Sequence, residues 1–169
     1  MSRTQNLRIA FVALSVLAFD QLTKFLVRQF LTVGEERTII DGFFKLVHWQ
    51  NTGAAWSILS GRNGWLAIIA LIALVVLFRS RHHFDAHTPL GQTALGLIFG
   101  GILGNLVDRL FLTHVTDFLY FYLKRRGGEA VGFPAFNIAD SAICIGVFLI
   151  FISSWKSEKR PSAPLQSQA

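Results

Sequence analysis

The sequence predicts an all-α polytopic membrane protein, four transmembrane helices with a small extracytoplasmic β-hairpin or sheet element. Three observations carry that reading. Charged residues make up only 15% of the 169, against about 25% in a soluble domain, too few to coat a water-facing globule. Hydrophobic residues reach 52% and the mean hydropathy is +0.47, which excludes a disordered chain. The apolar residues also fall into four blocks near the length a bilayer demands, about 20 residues for a core of roughly 30 Å. An ordinary cytosolic enzyme is disfavoured on the same grounds. The net charge of +6 invites a nucleic-acid partner, but the 16 Lys and Arg are scattered between apolar blocks instead of forming one patch. The lone Cys144 cannot form an intrachain disulfide, and no Cys/His set has zinc spacing.

The elements follow in chain order, as one membrane domain over 1–169. The first span, about 9–27, carries Asp20, Gln21, Thr23 and Lys24 near its end. Arg3 and Arg8 ahead of an apolar stretch resemble a secretory signal, but cleavage would need small residues where Asp20–Lys24 stand, so the helix is expected to be retained. In the outer connection 28–63, Arg37–Ile40, the turn pair Asp41-Gly42 and Phe43–Trp49 read as a hairpin. Its Phe43, Phe44 and Trp49 suit a membrane interface.

The second span is 64–78, followed by an inner loop 79–89 in which His82, His83 and Asp85 read as solvated. The third span, about 90–112, carries Gly96, Gly100, Gly101 and Gly104, whose small-xxx-small spacing lets a neighbouring helix approach closely. The outer connection 113–136 holds Lys124–Gly128 as a solvated turn. The fourth span is about 137–155, and 156–169 reads as a disordered end. Four spans put both termini on one side. Seven Lys and Arg lie on that side against nine spread over about twice as many residues on the other, so their density places the termini in the cytoplasm.

A charge at the centre of a membrane helix costs about 2.5–3.5 kcal/mol on insertion scales, so each one asks for a reason. Asp20 and Lys24, four apart, share a helix face and can pair, either to anchor the helix end or to brace a site. Asp108 and Arg109 end the third span, where Arg109 either snorkels or holds a carboxylate or lipid headgroup. Asp117 and Asp140 are the informative acids, because the loop between spans three and four returns their outer ends to one membrane face. Asn137 is a natural N-cap, so Asp140 falls in the first helical turn where the dipole favours a carboxylate. Asp117 has no such helix start. One acid charged and one protonated is what an aspartyl hydrolase requires. Two alternatives stay open at this point: a capping residue with a loop residue, or a proton or cation pathway, which would normally place its acids near mid-membrane. No Gly-x-Ser-x-Gly elbow is present. His114, Ser57 and Ser141 lack an evident partner, and Cys144 reads as packing.

Five motifs then occur in order: Asp20–Lys24 (DQLTK), Asn51–Ser57 (NTGAAWS), Gly101–Arg109 (GILGNLVDR), His114–Phe118 (HVTDF) and Phe133–Ser141 (FPAFNIADS). In this order and at these separations the chain resembles the bacterial lipoprotein signal peptidases, signal peptidase II, from the first span through the fourth. The resemblance implies a membrane-embedded aspartic endopeptidase of the bacterial inner membrane, with both termini cytoplasmic and its site at the extracytoplasmic face. It would cleave signal peptides from diacylglyceryl-modified prolipoproteins just before the lipidated cysteine. By motif, Asp117 and Asp140 would be the catalytic pair. Asn51, Gly53, Asn105, Arg109, Asn137 and Ala139 would line or brace the pocket, supported by Asp20 and Lys24. The implied partners are the lipid-modified prolipoprotein and membrane lipid, with no nucleic acid, a monomeric enzyme and no metal or organic cofactor. The aromatic hairpin would cover the site, and the glycine-rich third helix would leave room for the signal-peptide helix or acyl chains. The chain departs from the family at Trp56, where phenylalanine is commoner, and at Thr116, where valine is usual. Both bear on substrate fit.

Overall fold

The computed structural model describes residues 2–53, 61–84, 86–125, 127 and 129–158. Its elements are α1 (Arg3–Phe30), β1 (Glu36–Ile40), β2 (Phe44–Asn51), α2 (Asn63–Ser80), a 3-10 turn (Arg81–His83), α3 (Pro89–Phe111), β3 (Val115–Lys124), β4 (Ala130–Gly132) and α4 (Ile138–Glu158). All four helices are long and apolar enough to cross a membrane. Their starts are written locally. Ser2 and Gln5 close a capping box on α1, and the Thr88 hydroxyl accepts from Gly91 N–H with Pro89 at the first helical position of α3.

The bundle is built on α3, which packs against α1 on one side and α4 on the other while α2 lies against it at the periphery. Glycines make those contacts close. A Cβ at Gly100 would lie 2.6 Å from the Ala13 carbonyl oxygen, and one at Gly101 would lie 2.5 Å from that of Ala139. The small-residue face of the third span is therefore filled by the protein's own α1 and α4. The expected room there for a signal-peptide helix or acyl chains is corrected, because backbone already occupies it. Phe11, Ile72, Phe148 and Phe151 point away from the bundle and stay exposed, as a helix facing hydrocarbon requires.

The expectation of an all-α chain is also corrected. The hairpin β1–β2 is present, but β3 and β4 join it in a four-stranded antiparallel sheet of order β1-β2-β3-β4. Two of its strands come from the second outer connection. The reason is compositional: six of the ten residues of Val115–Lys124 are β-branched or aromatic. One extra residue in β2 falls between the pairs Leu46–Leu119 and Trp49–Asp117, a β-bulge of the kind that re-aims side chains beside functional sites. The bulge residue His48 ties the sheet to the end of α1, its Nδ1 lying 2.9 Å from the Leu31 carbonyl oxygen. The tail expectation changes too, since α4 runs on to Glu158. Residues 159–169, Trp56, Ser57, Asp85, and positions 126 and 128 of the expected turn lie outside the described residues.

Candidate active site

The register of the second connection brings Asp117 and Asp140 together. Leu119 bridges Phe136 in antiparallel sense, with Phe136 N–H donating to Leu119 O at 3.1 Å and Leu119 N–H donating back to Phe136 O at 2.9 Å. Stepping one residue along each chain sets Asn137, the cap of α4, beside Phe118 and Asp117. The cap forms as the sequence indicates. Asp140 N–H donates to Asn137 Oδ1 at 3.0 Å, and Asn137 N–H donates to Asp140 Oδ2 at 3.2 Å.

Asn137 is the hinge of the geometry. While its backbone serves Asp140, its side-chain Nδ2 donates to Asp117 Oδ1 at 2.9 Å. Asn51, at the end of β2, donates from Nδ2 to Asp117 Oδ2 at 2.9 Å, and Asn105 on α3 donates from Nδ2 to Asp140 Oδ1 at 2.7 Å. Asp117 is only 4% exposed. Burial, and then the negative charge of Asp140, push its carboxyl up to about 7; the Asn51 and Asn137 hydrogen bonds and the Lys24 charge oppose the rise. Both carboxyl groups line a cavity of about 820 Å³ with a polar floor of Asn51, Asn105 and Arg109 and an apolar wall that includes Phe133, Phe136 and Ile143.

The supporting residues fall into two groups. Gly53 N–H donates to Asn51 Oδ1 at 2.9 Å, and Gly53 O accepts from Arg109 NH2 at 3.2 Å, so Arg109 faces the cavity and anchors the loop after β2. Among the described residues its Nε has no hydrogen-bond partner. Behind the floor, Lys24 is fully buried and pairs with Asp20 at 2.8 Å and Asp108 at 3.1 Å, while donating to Asn105 Oδ1 at 3.0 Å. Asp20 accepts from Ala139 N–H at 2.9 Å, tying α1 to the first turn of α4. The pair Asp20–Lys24 thus both neutralises itself and braces the site.

Sequence reasoning named Asp108 at the end of the third span and Thr116 as a departure bearing on substrate fit, but counted neither among the site residues. Asp108 is 1% exposed and accepts from Thr116 N–H at 3.1 Å and Gln21 Nε2 at 3.1 Å, so it occupies the open edge of β3 one residue before Asp117. The available signal was spacing. Gly104 and Asp108 are four apart on α3, as Asp20 and Lys24 are on α1, and the small residue lets the two charged faces meet. Thr116 takes a hydrogen bond from Arg28 NH1 at 3.2 Å on its hydroxyl. The reading of Cys144 as packing is corrected: it is exposed and lines the cavity one turn beyond Asp140, because α4 turns that face toward the opening. His114 takes its contact from the Leu112 backbone, and burial lowers its pKa.

Comparison with known proteins gives one result throughout. The family model described as signal peptidase (SPase) II matches residues 12–156. The lipoprotein signal peptidase of Bacillus pumilus is 37% identical over 142 residues, covering 83% of this chain and 88% of that one. That of Maridesulfovibrio salexigens is 39% identical over 155 residues, covering 87% and 94%. A bacterial membrane enzyme solved by the in meso method at 2.3 Å superposes with a TM-score of 0.78 at 36% identity, covering 92% of this chain and 93% of that one. A second, at 1.9 Å, gives 0.72 at 37% identity over 88% and 92%.

Proposed function

The chain belongs to the signal peptidase II family of aspartic peptidases, and from that premise we propose that Asp117 and Asp140 hydrolyse the bond preceding a diacylglyceryl-modified cysteine in prolipoproteins. The observation that carries the reading is the bridge through Asn137, which holds a hydrogen bond to each carboxyl group at the floor of one cavity.

The roles follow from the surroundings. Asp140, in the first turn of α4, accepts an N–H from Asn105 on α3 and one from the Asn137 backbone, and is assigned the role of base. Asp117, with its pKa raised to about 7 by burial and by the Asp140 charge, holds the proton near neutral pH. The pair titrates as a unit. Asp140 takes a proton from water as the water oxygen bonds to the scissile carbonyl carbon, and Asp117 gives its proton to the carbonyl oxygen. Collapse of the resulting diol returns a hydroxyl proton to Asp117. Asp140 delivers its proton to the departing cysteine nitrogen as the C–N bond breaks. Two carboxyl groups and one water balance the reaction.

Arg109 and the Asn51–Gly53 loop border the cavity where the substrate backbone would lie, and Phe133, Phe136 and Ile143 offer apolar surface to the lipidated residue. The same reading takes the enzyme to be a monomer of the bacterial inner membrane with cytoplasmic termini and the sheet on the extracytoplasmic side, where a lipid-modified precursor is presented. Family membership gives no support to a proton- or cation-coupled transporter using the same acids.

The deciding experiment is processing of a diacylglyceryl prolipoprotein by purified enzyme. Asp117→Asn and Asp140→Asn are each expected to abolish cleavage while leaving thermal unfolding in detergent cooperative. Cleavage retained by either variant overturns the assignment.

A further inference from the structure

Each of the four carboxyl oxygens of Asp117 and Asp140 accepts an N–H: Asp117 from the amides of Asn137 and Asn51, Asp140 from the Asn105 amide and the Asn137 backbone. Three of these four donors are side-chain amides. A carboxamide has a donor end and an acceptor end, and half a turn would present its oxygen to a carboxylate, replacing attraction with repulsion. Something must therefore fix which end faces the acids.

The partners on the far side of each amide do so, because an N–H or an ammonium can only donate. Gly53 N–H meets Asn51 Oδ1 and Asp140 N–H meets Asn137 Oδ1. Those two locks are backbone groups two or three residues along the same chain, so no side-chain substitution at the donor removes them. The Asn105 amide is different. Its oxygen is held by Lys24 Nζ at 3.0 Å, from another helix, and by the Asn137 amide at a longer 3.2 Å.

We propose that Lys24 is a positioning residue for the peptidase reaction: its ammonium holds the Asn105 amide with the NH₂ toward Asp140, keeping that acid hydrogen-bonded as the charged base. Asp20 and Asp108 keep Lys24 in place at 2.8 and 3.1 Å, and Arg28 lies beyond Asp108 at 3.9 Å. Without a donor at position 24 only the longer Asn137 contact holds that oxygen, and an amide that turns points its oxygen instead of its NH₂ at Asp140. The buried cation acts on the base through a neutral intermediary.

The inference rests on the reading of Asp117 and Asp140 as the acid and base. A parent enzyme that leaves the lipidated precursor uncut refutes that reading before any position-24 variant is made. Lys24→Met alone would strand two buried carboxylates, so the test pairs each change with Asp20→Asn, which removes one charge of each sign. In Asp20→Asn/Lys24→Gln the glutamine amide can still donate to Asn105; in Asp20→Asn/Lys24→Met nothing at position 24 can, and the Asn137 amide is the donor that remains. The expected result is a kcat for the methionine variant about 10-fold or more below the glutamine variant, with KM for the diacylglyceryl precursor within about twofold. The acidic limb of the kcat–pH profile, which belongs to the aspartate pair as a unit, should differ from the parent with methionine and return with glutamine. Equal kcat and equal profiles in the two variants overturn the proposal. Should the methionine variant not fold, the glutamine variant decides: kcat within about fivefold of the parent supports the hydrogen bond as what Lys24 supplies, and a larger loss overturns it.

Discussion

At the scale of single residues, the site is a set of amides arranged around two acids. Asn137 touches both, so its removal should exceed that of any one-sided partner. A hydrogen bond to a charged group contributes about 1.5–3 kcal/mol. Asn137→Ala is accordingly expected to lower kcat by at least about 100-fold, and Asn51→Ala, which frees one oxygen of Asp117, by about 10-fold, both measured on the lipidated precursor. The raised pKa of Asp117 also has a thermodynamic consequence with a definite sign. The folded protein retains a proton on this group up to about pH 7, whereas the unfolded chain releases it near 3.8. Between those values the folded state binds more protons, so the stability contributed by this group falls as pH rises and is lowest above 7. Asp117→Asn removes the dependence. Its unfolding temperature in detergent should gain on the parent from pH 4 to pH 7, and a constant gap would contradict the burial argument.

At the scale of elements, sequence was most legible where local chemistry acts alone. The four helices, the hairpin turn at Asp41-Gly42, the Asn137 cap and the Asp20–Lys24 pair all depend on neighbours within a few positions. β3 was not legible, because Val115–Lys124 shows no polar alternation. Its buried half, Val115 to Phe118, covers both faces and hides the period-2 signal that marks a half-exposed strand. Asp108 was hidden for another reason: its partners, Lys24 and Thr116, come from two other elements. The glycines of α3 gave the right inference about close packing and the wrong one about its beneficiary. Gly100→Ala tests the corrected account. The added Cβ would meet the Ala13 carbonyl at 2.6 Å, and overpacking of this kind costs about 1–3 kcal/mol, read as a lower unfolding temperature. Gly64→Ala, with no described residue within 4 Å of the added carbon, serves as the control.

At the scale of the whole molecule, two acids on different elements meet because the Leu119–Phe136 bridge docks the start of α4 on β3, while α3 holds α4 through Asn105 and β3 through Asp108. The first turn of α1 and the last turn of α4 therefore lie at the end of the bundle away from the cavity. Reporter fusions at the N-terminus and after Trp155 should therefore be active only in the cytoplasm, and a reporter inserted at Gly127 only outside it. A reversed pattern would place the cavity on the wrong face for a translocated precursor.

The buried charges behind the site also bear on how the protein is made. Asp20 and Lys24 leave the ribosome 84 or more residues ahead of Asp108, a wait of about 4–17 s at roughly 5–20 residues per second. During that interval α1 has neither α3 nor α4 to shield it from lipid. A helix carrying either charge alone would be a poor substrate for insertion, but a pair one turn apart offers the bilayer a nearly neutral dipole until the third helix arrives. The spacing that braces the finished site also lets the first helix wait for it.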